Sequence, residues 1–435
     1  MSLFVTGRRG LKWCPVALLA IVVGTGFVYA APSFDGGTTV GFNAEDNATS
    51  AYTVNPAKLA YFEMSTMIFD VGGDWSLGTV KYTENGGSVE PGSPAEPGES
   101  AAELTINTAV GGTGFAAFRS GTTVFGFGAG LDWDKVSLGL SGTSIPELGY
   151  FPEGEVFSFS IPEKYVCGAV AFDMNPWAVG FSGKYTTVSH KAEDEADYSY
   201  SAELGLTDAE ILGGVFYRSG GTRFDVGGGV QILKNRLELT EPFSPVAGGE
   251  ATGMRFGGRA GYRNLLWSKC AFGVNCDVRL TPGITITDDD VDYDIAEGSE
   301  LDLGIMPGFA LYPDDRTTLA FDYNVGLRKV DLDTLSSRGR ITGEYRFSET
   351  WTYSQVGLER WLTEDVSAKA GWRQNILAFP RNTMFAGACY RPNDRWSFNY
   401  DYVEGTISID KISTFMTLSD VVDVGGHRIT LAYSF

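Results

Sequence analysis

The chain has 435 residues, 43% of them hydrophobic, and a mean hydropathy of −0.05, which excludes a bundle of transmembrane helices. Its 54 acidic residues against 33 Lys and Arg give a net charge of −21, and this excludes nucleic acid as a partner, because phosphate binding needs clustered cations. The four cysteines beyond residue 30 show no zinc-ligand spacing; no metal centre and no cofactor is predicted.

Residues 1–30 read as a cleaved export signal. Arg8, Arg9 and Lys12 form a basic start, Pro15 to Phe27 is mostly apolar, and Val28-Tyr29-Ala30 places small residues before a cut. The apolar run falls short of the roughly 20 residues that span a bilayer. Cleavage removes three cations and no anion, so the exported chain is more acidic still. Cys167, Cys270, Cys276 and Cys389 remain. Cys270 and Cys276 fall on one predicted strand, roughly 20 Å apart at about 3.3 Å per residue, beyond disulfide reach. All four read as small apolar fillers.

Residues 31–62 precede the first strand. Asn55-Pro56 is a helix start: Asn caps, and Pro fits the first helical position, where no N–H bond is lost. Ala57, Leu59 and Ala60 then form a short apolar turn.

From about residue 63 to the end the period is two. Thr123, Phe125, Phe127, Ala129 and Leu131 oppose Gly126, Gly128 and Gly130. Met254, Phe256, Ala260 and Tyr262 oppose Arg255, Arg259 and Arg263. In the next strand Cys270, Phe272, Val274, Cys276, Val278 and Leu280 oppose Lys269, Asn275, Asp277 and Arg279. Such alternation predicts strands with one apolar and one polar face. Turns sort by length. Short ones occur at "RSGTT", "DMNPW", "RSGGT", "YPDDR", "LTED" and "RPNDR"; between them lie longer polar stretches, including "SHKAEDEADYS", where His190 opens an acidic loop, and "DDDVDYDIAEGSE". Short turns at one end and long loops at the other are the pattern of an up-and-down outer-membrane barrel. Trp177, Trp267, Trp361 and Trp396 flank short turns, as an interfacial girdle requires. The chain ends in an alternating strand, "GGHRITLAYSF", with Phe435 at its terminus, resembling the signal by which outer-membrane barrels are recognised for insertion.

The predicted fold is therefore all-β: a transmembrane antiparallel up-and-down barrel of about 14–16 strands over residues 63–435, since a closed single-chain barrel wants an even number. Residues 338–361 read as one long strand or two. A barrel of this size has a lumen wide enough for water unless something fills it. Residues 31–62 are expected to fold inward as a short helical hatch, carried by Asn55, Pro56, Ala57 and Leu59.

"SAYTVNPAKLAYF" resembles the Asn-Pro-Ala segment of the FadL-type outer-membrane transporters for long-chain fatty acids and aromatic hydrocarbons, and of the related PorV-like barrels linked to type IX secretion. "ILGGVFYRSGGTRFDVGGGVQI" and "VGLERWLTEDVSAKAGWRQN" resemble the family's paired strands more loosely. The family usually has Gly after that Ala, where this chain has Lys58. The resemblance implies an N-terminal hatch inside a barrel in the outer membrane of a Gram-negative-type bacterium. It implies passive entry of a hydrophobic small molecule, captured among the long loops and passed along the lumen or out sideways through the wall. Outer-membrane lipid and lipopolysaccharide are the implied surroundings.

Arg255, Arg259 and Arg263 recur every four residues on one polar face, with Lys269 and Arg279 on the next strand. They either guide an anionic head group or form lumenal salt bridges with Asp225, Asp277 or Glu344. His190 and His427 sit in no evident triad motif, and no Walker-type loop is present, so an enzyme is not predicted. Two rivals to hydrophobic uptake stay open: a general porin for polar solutes, and a structural or secretion-associated barrel without small-molecule cargo.

Overall fold

The computed structural model describes residues 55–62, 64–77, 80–84, 100–140, 144–145, 149–150, 155–194, 201–241, 244–266, 269–288, 294–375, 381–410 and 416–435. The expected signal segment (residues 1–30), residues 31–54 and Trp267 lie outside the described residues.

The alternating stretches form sixteen strands. They are β1 (Thr66–Leu77, prolonged by Val80–Glu84), β2 (Ser100–Ser120), β3 (Thr123–Leu140), β4 (Glu155–Met174), β5 (Trp177–Asp194), β6 (Ser201–Ser219), β7 (Thr222–Glu241) and β8 (Ser244–Leu266). Then come β9 (Cys270–Asp288), β10 (Asp294–Asp314), β11 (Thr317–Leu335), β12 (Ile341–Trp361), β13 (Val366–Asn375), β14 (Arg381–Asn393), β15 (Trp396–Asp410) and β16 (Met416–Ser434). Each pairs antiparallel with the next. The sheet closes where β16 returns to β1, with Ser434 opposite Thr66 and Asp423 opposite Leu77. Val80–Glu84 pairs with both β2 and β16 and so continues β1 in the wall. Closure pairs every strand on both sides and removes the sheet edges that an open sheet would expose. Residues 338–361 resolve into a turn, with Gly339 at φ 67°, followed by the single strand β12.

The faces sort as the alternation requires, but inside out relative to a water-soluble protein. Phe127, Val166, Phe181 and Ile211 are more than half exposed on the outer wall. Asp70, Asp225, Asn275, Asn324, Gln355 and Asp401 are buried on the inner one. On β9, Phe272 and Val278 are exposed while Asn275 between them is buried. A continuous apolar outer belt fits hydrocarbon. No helix among the described residues is long and apolar enough to cross a membrane; the strands provide the crossing.

The six short turns lie at one end of the barrel, and Gly121 and Gly220 supply the positive φ that two of them require. Residues 65 and 435 meet at the same end, where the Phe435 N–H donates to the Ser65 carbonyl at 2.8 Å. Trp177, beside Tyr217 at 4.7 Å between ring centroids, and Trp396 face outward at this rim. Trp361 departs from the expected girdle. It follows the inward parity of Gln355 and lies under the Arg391 guanidinium, 5.0 Å from the ring centre. The expected acidic loop at residue 190 is also corrected. His190 lies within β5, opposite Leu204, and β5 runs on to Asp194. Beyond the apolar belt both faces of a strand meet water, so the alternation that marks a strand fades while its backbone pairing continues.

Candidate functional site

Pro56–Tyr61 forms a short 3₁₀ helix inside the barrel, packed against β3, β4, β5 and β6. Its start follows the capping logic of the sequence. Asn55 is extended, its side-chain oxygen accepts the Ala57 N–H at 3.0 Å, and Pro56 opens the turn. The Lys58 N–H then donates to the Asn55 carbonyl and the Phe62 N–H to the Leu59 carbonyl, each at 3.1 Å.

Every residue from Asn55 to Ala60 is buried, and Asn55, Ala57 and Leu59 are 0% exposed. Ala57, Leu59 and Ala60 share one apolar cluster with Phe115, Ala117, Val124, Cys167, Ala171, Ala178 and Phe216 of the wall. Burying Leu59 alone is worth about 2 kcal/mol. The wall admits the turn because it is bare at two points of closest approach. A Cβ on Gly180 would land on the backbone of Pro56 and Ala57, and one on Gly214 would land on the Asn55 amide.

Three polar anchors hold this turn. The Asn55 amide donates to the Val215 carbonyl at 3.0 Å and the Val226 carbonyl at 3.4 Å, on β6 and β7. Lys58 Nζ lies 3.4 Å from Asp225 Oδ2. Arg119, at the end of β2, donates from Nη1 to the Ala60 carbonyl at 2.6 Å and the Phe62 carbonyl at 3.0 Å, while its Nη2 binds Asp173 Oδ2 at 2.5 Å. Arg119 thus satisfies carbonyls left open at the end of the turn. Sequence reasoning singled out neither Arg119 nor Asp173. Their one signal is that each is a charged residue beside a short turn, in "RSGTT" and "DMNPW".

The five predicted cations do not form one group. Arg255 is bound by Glu300 at 3.0 Å, with Thr281 at 3.3 Å and Gln231 at 3.4 Å, and Glu300 also receives Arg328 at 2.8 Å. Arg263 donates to the Tyr312 hydroxyl at 2.5 Å. Arg279 lies within electrostatic range of Glu210 and Asp302. Arg259 stands on the inner wall between Gly227 and Asp277 in register. Lys269 is exposed in the turn before β9. Of the expected acidic partners, Asp225 is taken by Lys58, and Glu344 lies 3.8 Å from Arg346.

Elsewhere on the inner wall Arg428 grips Asp70, Lys369 lies 2.5 Å from Asp401, and Arg373 donates twice to Gln355, at 3.0 and 2.7 Å. The inner wall is thus apolar where the turn docks and charged beyond it, from Lys184, Asp208 and Glu210 on β5 and β6 and across β8–β16. His427 faces outward and shares a hydrogen bond with the Tyr400 hydroxyl at 2.8 Å. Of the cysteines, Cys167 and Cys389 are buried, Cys276 is exposed, and all four are unpaired.

No family model matches the chain, and no curated protein matches it. Solved structures overlap it along most of its length. The TodX monoaromatic hydrocarbon channel deltaS2 mutant covers 89% of this chain with 94% of its own, at 13% identity and a TM-score of 0.48. The Ralstonia pickettii toluene transporter TbuX covers 92% with 96% of its own, at 13% identity and 0.43. A Pseudomonas aeruginosa FadL homologue covers 89% with 94% of its own, at 11% identity and 0.42. The barrel assignment rests on this chain's own strand register.

Proposed function

We propose that this chain is an outer-membrane transport protein for passive uptake of hydrophobic small molecules, with residues 31–62 as its hatch. One observation carries the reading. The stretch that resembles the FadL-type Asn-Pro-Ala segment is buried inside a barrel whose outer wall is apolar. Such a turn restricts the lumen, so entry requires a solute that displaces it or travels along the apolar wall on which it rests. Where Asn55 docks, Gly213 and Gly214 on β6 stand in register with Gly228 and Gly227 on β7. These four glycines add no side chain of their own to either face of the wall, and this thin place is the sideways exit this reading assigns. Transport runs down a gradient, and long-chain fatty acids or aromatic hydrocarbons are the proposed cargo. Arg255, Arg259, Arg263, Lys269 and Arg279 are retained as candidate guides for an anionic head group, with Arg255, Arg259 and Arg263 sharing the inward face of β8.

The test is a titration of the detergent-held barrel with a fluorescent long-chain fatty acid. Saturable binding, displaced by unlabelled fatty acid and weakened in Asn55→Ala, is expected. Its absence for fatty acids and aromatic hydrocarbons alike would sink the reading. The charged inner wall of β8–β16 favours a second one, a porin for polar solutes, which predicts steady ion conductance with the turn in place.

A further inference from the structure

The N-terminal turn is held differently at its two ends. At its C-terminal end, Arg119 clasps the carbonyls of Ala60 and Phe62, and the chain passes directly into β1. This end is both hydrogen-bonded and tethered. At the other end, among the described residues, the polar side chains of Asn55 and Lys58 reach the wall.

The Lys58 contact is built rather than incidental. Lys58 is 7% exposed and Asp225 6% exposed, on elements 167 residues apart in the chain, so the pair exists only when the turn is docked. The Lys58 ammonium lies 5.8 Å over the Phe216 ring. Asp225, Gly261 and Asn275 stand side by side in register on β7, β8 and β9. The missing side chain at Gly261 lets Asp225 and Asn275 lean together: a Cβ there would press on Asp225 Oδ1 and lie 2.5 Å from Asn275 Oδ1. The wall thus sets an amide beside the carboxylate that receives the Lys58 ammonium. Removing either partner leaves a buried charge uncompensated, which is strongly disfavoured.

We propose that Lys58 and Asp225 form an electrostatic latch on a hinged flap: the turn is pinned at Ala60–Phe62 by Arg119, and breaking the Lys58–Asp225 pair lets its Asn55 end swing into the lumen. The latch needs no particular cargo. A polar-solute porin with the same turn would carry it equally, so failure of the fatty-acid titration leaves it standing.

Cys167 reports on the flap. It belongs to the same buried cluster as Ala57 and Leu59, whereas Cys389 is buried on β14, outside that cluster. The full chain is exported, folded and purified, with folding checked by heat-modifiable migration. Alkylation by a water-soluble maleimide is then followed at each thiol by peptide mass spectrometry. Asp225→Asn and Lys58→Met are expected to speed Cys167 labelling by about tenfold or more, with Cys389 unchanged, since labelling of a protected site tracks the open population. The charge-exchanged double variant Lys58→Glu with Asp225→Lys is expected to return Cys167 to near the parental rate. Three results would overturn the latch: folded single variants that label at the parental rate, Cys389 accelerating alongside Cys167 (a loosened barrel rather than an opened flap), or an exchanged pair that labels as fast as the single variants.

Discussion

Arg119 is the residue on which the hinged end of the turn depends. Its guanidinium closes two backbone carbonyls and one carboxylate. Arg119→Ala leaves those carbonyls short of donors and Asp173 short of its cation, and is expected to weaken docking by about 2–3 kcal/mol. Hydrogen exchange at Phe62, whose N–H bonds within the turn, would read this as accelerated exchange; unchanged protection would show that apolar packing alone holds this end. Gly180 makes a complementary case. Gly180→Val puts a branched side chain where the Pro56–Ala57 backbone lies, so the turn is expected to undock while the barrel, whose β5 backbone bonds are untouched, still folds. Faster cleavage near residues 55–62 in limited proteolysis, with heat-modifiable migration retained, is the expected result. Of these contacts the capping by Asn55 and Pro56 was legible in sequence, because a cap acts over two or three residues. Arg119 with Asp173, and Lys58 with Asp225, were not, because their partners meet only after β2, β4 and β7 have been brought round the barrel.

At the scale of elements, the closing seam is the joint formed last in sequence, between the first strand and the last. Arg428 on β16 chelates Asp70 on β1, both largely buried. Arg428→Ala strands the Asp70 carboxylate, and the expected loss is about 3–5 kcal/mol of barrel stability. A lowered urea midpoint for loss of the heat-modifiable band would show it. Arg428→Ala together with Asp70→Ala is expected to recover part of that loss, because no buried charge is then left unpaired. Strand identity was readable where outward apolar and inward polar residues alternate, as on β9. It was not readable at His190 or in the acidic stretches near Asp288 and Asp294, where the strands extend past the lipid belt and alternation carries no signal. Trp361 shows the same limit: the girdle rule places a tryptophan by its distance from a turn, whereas the inward parity of β12 decides its face.

At the scale of the whole molecule, a closed wall around a docked turn predicts low conductance in planar bilayers. Removing residues 31–62 is expected to raise it severalfold, since the lumen of a sixteen-stranded barrel admits water when nothing fills it. Equal conductance with and without the segment would mean that the turn does not restrict the path. The lipid-facing assignment is tested separately. Phe127→Arg, on the exposed outer face of β3, is expected to destabilise the barrel by about 2–4 kcal/mol in bilayers. Lys369→Arg, on the inner wall, keeps the charge facing Asp401 and is expected to change little.

What the sequence by itself determined is whatever local chemistry decides: the two-residue period that sorts each strand's faces, the short turns with Gly121 and Gly220, and the capped turn at Asn55-Pro56. These depend on neighbours a few residues apart, so they can be read along the chain. Only the tertiary structure decided the strand number, the register that closes β16 on β1, and the identity of each ionic partner. Arg255 found Glu300, and Lys58 found Asp225, because register and barrel curvature set which inward side chains share a neighbourhood. The apolar bed of the turn was likewise settled in three dimensions. It needs Gly180 and Gly214 bare in the wall, Gly261 bare beneath the latch, and strands far apart in sequence curved round a common lumen.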